Sequence, residues 1–223
     1  MVEDSKNIKV IEHLLEKEYG RKVLKPTNDP LSELIATILS QNTSDNNSHR
    51  AYRNLKHNFK NWEEVRSAPL SKIVQSIKVG GLEKIKAERI KNILNQIYKE
   101  KGAVSLAFLK KWNTEKVKEY LSHFTGVGDK TVACVLLFAL GRTVLPVDTH
   151  ILRVSKRLGL IPWKTDSKKA HVLLQNKIPP ALVYPFHLNL IEQGRKICKA
   201  RNLLCGKCVL FQKCEFKDKH KYI

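Results

Sequence analysis

Apolar side chains spaced three and four residues apart run through almost the whole of this chain, and that period admits helices and little else. Ile8, Ile11, Leu14, Leu15 and Tyr19 share one helical face. Leu31, Leu34, Ile35, Ile38 and Leu39 share another, behind Asn28-Asp29-Pro30 as a start signal. Residues 82–101 read as a long basic amphipathic helix with Ile85, Ile90, Ile93, Leu94 and Ile97 on its apolar side. Thr114 reads as an N-cap ahead of Val117, Tyr120 and Leu121. Residues 129–140 read as one buried helix, and Asp148 or Thr149 caps the next, through Ile151, Val154 and Leu158. Further helices are expected from Asp166-Ser167 and from Pro179-Pro180 to Lys196. No alternating strand pattern interrupts them, so the expected class is all-α.

The chain has 223 residues, 42% of them hydrophobic, enough for a real core. Its longest apolar run, 132–140, is nine residues, where a membrane span needs about 20. The opening MVEDSKNIKV has two acids and no apolar signal core, so an intracellular, non-membrane protein is expected. The formal net charge of +20 repels itself in a compact fold and is usually there for a polyanion. Nucleic acid is the leading partner. A Lys-rich proteome and an anionic membrane surface are the alternatives. The charge gathers near the C-terminus, with nine Lys and Arg from Arg195 to Tyr222 against Glu215 and Asp218. The last residues, 218–223, are charged and expected to fray.

Four of the five cysteines fall within seventeen residues as C-x6-C-x2-C-x5-C: Cys198, Cys205, Cys208 and Cys214. Without a secretory signal, disulfides are disfavoured and a metal site is the stronger reading. Four cysteines suit a tetrahedral zinc, and they equally suit an iron–sulfur cubane, whose larger core fits the wider loops. The spacing leaves both open. Cys134, inside the apolar run, reads as core.

Thr125-Gly126-Val127-Gly128-Asp129-Lys130-Thr131 reads as a short turn between two helices. Its glycines permit positive φ and close approach, and the free N–H groups of the second helix face the turn, ready for a phosphate oxygen. A P-loop is excluded, because Asp129 stands where that motif needs Gly before Lys. Lys130 falls in the first helical turn, where the helix dipole favours a neutral amine. A neutral amine is a nucleophile able to form a Schiff base with a sugar C1′. Asp148, in Val147-Asp148-Thr149-His150, can cap a helix and also serve as a carboxylate partner for such an amine. The Val79-Gly80-Gly81-Leu82 segment resembles the Gly126 turn.

Taken together, residues 125–131, Pro146-Val147-Asp148-Thr149-His150 and the four cysteines, in this order and spacing, resemble the endonuclease III family of the helix–hairpin–helix DNA glycosylase superfamily. Residues 39–45, Gly81-Leu82 with Lys86-Ala87, and 187–201 extend the resemblance over nearly the whole chain. It implies a bifunctional DNA glycosylase and AP lyase of base excision repair. Such an enzyme acts as a monomer on double-stranded DNA containing damaged bases or abasic sites. Oxidised pyrimidines are the expected substrates, with uracil or thymine opposite guanine as the alternative. Lys130 and Asp148 would be the catalytic pair, and Gly126, Val127 and Gly128 the phosphate-gripping hairpin. Leu82 would be one wedge into the duplex, and Gln41 or Asn42 the opposite one. Lys199 and Arg201 would meet the DNA backbone. The resemblance favours a [4Fe–4S] cluster over zinc on Cys198, Cys205, Cys208 and Cys214. It implies two helical lobes with the active site in the cleft between them: a six-helix, barrel-like lobe at 23–142 carrying the hairpin, and a cluster lobe at 1–22 plus 143–223. Thr125 departs from the Pro usual before the hairpin.

Overall fold

A computed structural model describes the backbone of residues 2–223 and the side chains of residues 7–223. Among these residues there are α-helices, a π-helical turn and 3₁₀ turns, and no strand. The α-helices, in order, are α1 (Val2–Tyr19), α2 (Pro30–Ser40), α3 (Asp45–Asn58), α4 (Trp62–Ser67), α5 (Leu70–Ile77), α6 (Glu83–Lys101), α7 (Thr114–Ser122), α8 (Asp129–Cys134), α9 (Thr149–Arg157), α10 (Ser167–Lys177) and α11 (Val183–Lys196). None is long and apolar enough to cross a membrane. The chain divides into two compact units, Pro26–Leu140 and Met1–Lys25 with Gly141–Ile223.

The middle unit is built from α2 to α8. Asp29 caps α2 by accepting from the Ser32 N–H at 3.0 Å, and Pro30 opens the helix with its φ already set. Ser44 caps α3 and Asn61 caps α4 in the same way. The cap of α7 is Asn113, whose Oδ1 accepts from Lys116 N–H at 2.8 Å, and not Thr114. An Asn one residue earlier reaches the free amide, so Thr114 becomes the first helical residue. The apolar faces of these helices meet in a core that includes Leu34, Ile35, Ile38, Leu55, Ile73, Ile90 and Leu94, all fully buried. Burying each such side chain contributes roughly 1.5–3 kcal/mol. Ile85 does not join them. It is 53% exposed, and Lys86 goes inward in its place.

The predicted helix at 129–140 is two pieces. α8 ends at Cys134, and Val135–Ala139 continue as a π turn, closed by Leu140 N–H on the Val135 carbonyl at 3.2 Å. From Thr131 on, both pieces are mostly buried, and Cys134 is a core residue, as its apolar neighbours imply. An apolar run shows that a helix is buried but does not show its winding.

The other unit joins the two ends of the chain. α1 lies against α10 and α11, and α11 against α9. Tyr19 Oη donates to Gln193 Oε1 at 2.5 Å, and Asn189 Nδ2 to Glu12 Oε1 at 2.8 Å, both from α11 to α1 or the reverse. At Gly194 α11 lies close to α9, since a Cβ there would fall 2.9 Å from His150 Cβ. The expected fraying of 218–223 is not what is found. Lys219–Tyr222 form a 3₁₀ turn, and Lys219 Nζ donates to the carbonyls of Phe211 and Cys214 at 3.0 and 2.6 Å. A lysine that caps carbonyls holds a tail whose composition alone suggests a loose end.

Candidate functional site

In the middle unit, three turns carry most of the residues singled out by sequence. The first follows α2. Its Asn42 is exposed, in the left-handed region at φ 51°, and Gln41 beside it is half-buried. The second leads into α6, where Gly81 and Leu82 both have positive φ, 65° and 51°. Leu82 is the one non-Asn, non-Gly residue among the described ones with positive φ, and it is 46% exposed. A leucine held in that region costs about 1–2 kcal/mol. The third is the turn at Gly126, φ 80°, ahead of α8.

Two basic residues on α6 fasten these turns, and sequence reasoning missed both roles. Lys86 is 2% exposed, and its Nζ donates to the Leu39 carbonyl at 2.8 Å and the Gly80 carbonyl at 2.9 Å. It thus caps the C-terminal end of α2 and the turn before Leu82 at once. Burial holds its pKa below the usual lysine value, with the nearby Arg89 charge adding to this. One helical turn on, Arg89 NH1 donates to Gln41 Oε1 at 2.5 Å. Gln41 Nε2 in turn donates to the Gly126 carbonyl at 3.1 Å and reaches Thr131 Oγ1 at 3.4 Å. Gln41 is therefore engaged inside the unit, while Asn42 is the exposed residue of its turn.

The Gly126–Gly128 turn uses its residues unequally. Val127 is buried, and its N–H is donated to the Phe124 carbonyl at 3.0 Å, so it anchors the turn and has no amide to spare for phosphate. Gly128 is the N-cap of α8, its carbonyl accepting from Val132 N–H. The amides of the first turn of α8 lie at the open end of that helix. Phe108, Trp112, Tyr120 and Phe124 pack edge to face ahead of the turn.

Lys130 is half-buried in the first turn of α8, with no hydrogen bond or ion pair at its Nζ among the described residues. Its charge is felt by Glu33, one turn into α2. Burial raises the Glu33 pKa above the ordinary carboxylate range, opposed by a hydrogen bond from Thr37 and by Lys130. A carboxyl near Lys130 was not legible in the sequence, where Glu33 looks like any first-turn acid.

Asp148 belongs to the other unit, as do the cysteines. It is the N-cap of α9, its Oδ1 accepting from Ile151 N–H at 2.7 Å. The cap uses one carboxylate oxygen and leaves the second for other work. Further along α9, Arg153 Nε donates to the Cys198 carbonyl at 2.9 Å and Arg153 NH2 to the Gly194 carbonyl at 2.8 Å. Arg157, 8% exposed, donates from NH1 to Cys198 Sγ at 3.2 Å and to the Lys199 carbonyl at 2.8 Å. One helix thus presents Asp148 at its start and holds the cysteine loop at its end. Lys199 and Arg201 project from that loop, both exposed.

All four cysteines of the loop are free thiols, half-buried. Gln193 Nε2 donates to Cys208 Sγ at 3.1 Å, and Cys214 Sγ lies 3.2 Å from the Arg157 carbonyl. Burial pushes the Cys208 thiol up to about 11, and the charges of Cys198 and Cys214 raise it as well. Cys205 and Cys214 are raised for the same reasons. Cys205, Cys208 and Cys214 therefore all feel the charge of Cys198. Among the described residues no three His, Cys, Asp or Glu side chains are gathered into a group that would hold a metal ion.

A family model described as "HhH-GPD superfamily base excision DNA repair protein" matches residues 35–180. Endonuclease III of Thermotoga maritima is 33% identical over 206 residues, covering 90% of this chain and 92% of that protein. A protein of Arabidopsis thaliana assigned as a DNA glycosylase is 44% identical over 168 residues, 75% of this chain; the chain spans 57% of that relative's length. Among solved structures, a non-covalent endonuclease III–DNA complex superposes with a TM-score of 0.81 at 26% identity, over 97% of each chain.

Proposed function

This chain belongs to the endonuclease III family of the HhH-GPD base excision repair superfamily, and from that premise we propose that it is a bifunctional DNA glycosylase and AP lyase. Its substrate is double-stranded DNA with an oxidised pyrimidine or an abasic site, on which it works as a monomer inside the cell. The observation that carries the reading is Lys130, a half-buried amine with no hydrogen-bonding partner among the described residues, two residues after Gly128.

The residues divide the work as follows. Amides at the open end of α8 and the glycine turn bind a phosphate. Asn42 and Leu82, both exposed at positive φ, enter the duplex while the damaged nucleotide is flipped out, at a cost of a few kcal/mol. Lys130 Nζ attacks C1′, the glycosidic bond breaks, and the base leaves with the electron pair and takes up a proton. Loss of the amine proton and ring opening leave an imine between Nζ and C1′. Removal of a C2′ proton then expels the 3′ phosphate, which is the β-elimination that nicks the strand. Asp148 supplies a negative charge to the oxocarbenium character developing at C1′ and a base for the amine proton.

Cys198, Cys205, Cys208 and Cys214 would hold a [4Fe–4S] cluster, which when bound serves as a structural anchor for the loop bearing Lys199 and Arg201. What supports this is the chemistry of the donor set: four free thiols on one loop, with an N–H from Arg157 on Cys198 Sγ and one from Gln193 on Cys208 Sγ.

Borohydride reduction tests the reaction. Wild-type protein should be trapped covalently on lesion and abasic duplexes. Lys130→Gln should lose trapping and nicking while still binding DNA. Asp148→Asn, which can keep the cap on Ile151, should slow base release by about 10²–10⁴-fold with little change in binding. Normal trapping by Lys130→Gln would assign the nucleophile to another amine. A panel with uracil and thymine opposite guanine alongside oxidised pyrimidines identifies the base.

A further inference from the structure

Gly126 has two claims on being glycine. Its φ of 80° is one, and the other is Arg89: a Cβ on Gly126 would fall 2.0 Å from Arg89 Nε and 2.1 Å from Cζ. The Arg89 guanidinium therefore occupies the space that a side chain at 126 would need. From there Arg89 NH1 donates to Gln41 Oε1 at 2.5 Å, and Gln41 returns its amide N–H to the carbonyl of the same Gly126 at 3.1 Å. The ring is closed: α6 to the turn after α2, that turn to the glycine turn, and the glycine turn back against α6. Gln41 Nε2 also reaches Thr131 Oγ1 at 3.4 Å, next to Lys130 and itself 3% exposed.

Each partner is suited to this task and poorly replaced. Gln41 must accept with one end and donate with the other, which an amide does and a carboxylate or ammonium does not. Arg89 offers a planar face to pack on a backbone and N–H groups at its rim. Asn42, the exposed residue at positive φ, is chained directly to Gln41, so the orientation of that turn follows the ring. Lys86, one turn earlier on α6, ties the end of α2 to the Leu82 turn through Leu39 and Gly80.

We infer that Arg89 and Gln41 are positioning residues that lock the glycine turn and the Asn42 turn into one register, so that phosphate binding at the first sets the insertion of the second. This rests on the glycosylase reading for its consequence, but the ring itself belongs to the DNA-free protein. Gln41 is then not a wedge into the duplex but the part that aims one.

Amide exchange and single-turnover base release test it on the full chain with Arg89→Met, Gln41→Ala, the double variant and Gln41→Glu. Without DNA, exchange at 125–131 and 41–44 should quicken about tenfold in Arg89→Met and Gln41→Ala, while α9 and α11 exchange as in wild type. Gln41→Glu keeps an acceptor for Arg89 and loses the donor to Gly126, so it should quicken 125–131 alone. Base release at saturating protein should fall about tenfold in each single variant, and the double should be no slower than the slower single, because both break one ring. Unchanged exchange in both turns, or a double variant slowed by the product of the singles, would overturn the inference. If wild-type protein released no base, the proposed function would fail, and the exchange arms would still decide the ring.

Discussion

Glu12 is a carboxyl in a poor place for a charge. It is 4% exposed, one oxygen accepts from Asn189, and the other has no hydrogen-bond partner among the described residues. Burial raises its pKa to about 7 from 4.5, against the Asn189 hydrogen bond and with help from Glu16. A raised acid is held protonated in the folded state between those values, so deprotonation works against folding. The penalty is absent below about pH 4.5, grows as pH rises, and is complete above about 7. Glu12→Gln removes the charge and keeps an acceptor for Asn189. Melting curves should therefore coincide for the two proteins near pH 4.5 and separate by pH 8, with the variant higher by on the order of 5 °C, given about 2–4 °C per kcal/mol for a domain this size. A separation that shrank toward pH 8 would contradict the assignment. Lys86 is the opposite case, a buried cation that two carbonyls keep. Neither residue's burial was legible in the sequence, because a single charged residue on a helix reads as solvated until its neighbours are known.

Among the elements, α9 links the Asp148 cap to the cysteine loop. Its cap is Asp148, and its last turns hold the cysteine loop through Arg153 and Arg157. Arg157 grips three points, the Cys198 carbonyl, the Cys198 sulfur and the Lys199 carbonyl, and Glu215 N–H donates to its own carbonyl at 2.9 Å. If the four cysteines carry a cluster, Arg157→Met should lower the iron recovered per chain well below about four while Lys130→Gln retains it. Iron assay and visible absorbance on anaerobically purified protein would read this. Full iron in Arg157→Met would mean the loop is held by its ligands alone. A sequence pattern can place Arg157 on a helix but cannot say that the helix ends beside the cysteines, since forty residues separate them.

At the scale of the whole molecule the excess charge of +20 is what DNA would meet. Each phosphate contact releases counterions, so log K should fall by about 0.9 per contact per log unit of salt. Lys199 and Arg201 are exposed on a loop whose carbonyls are held by α9, so their charges are presented on a fixed base. Lys199→Ala with Arg201→Ala should lower the slope by about 2, measured by titrations on an undamaged duplex from low to moderate salt. An unchanged slope would remove the cysteine loop from the DNA interface.

The helical period by itself determined the class, because a stripe of apolar residues every three to four positions can be buried only by a helix. The local motifs were equally legible: Asp148 as a cap, Gly126 at a turn of positive φ, the four cysteines in one loop, Lys130 in a first helical turn. Each is a property of a few consecutive residues. What lay beyond reach was every interaction made by a side chain with a distant carbonyl or amide. Arg89 on Gly126, Gln41 between them, Lys86 under two turns, Arg157 on the cysteine loop and Glu33 in range of Lys130 are all of this kind. Ile85 and Lys86 show the limit most plainly. Periodicity sends the isoleucine inward, yet the lysine is buried, because two carbonyls at helix and turn ends lacked a donor and only a long cationic side chain could reach them. Apolar pattern is local and additive, whereas the need to satisfy a backbone group arises only once the chain has folded around it.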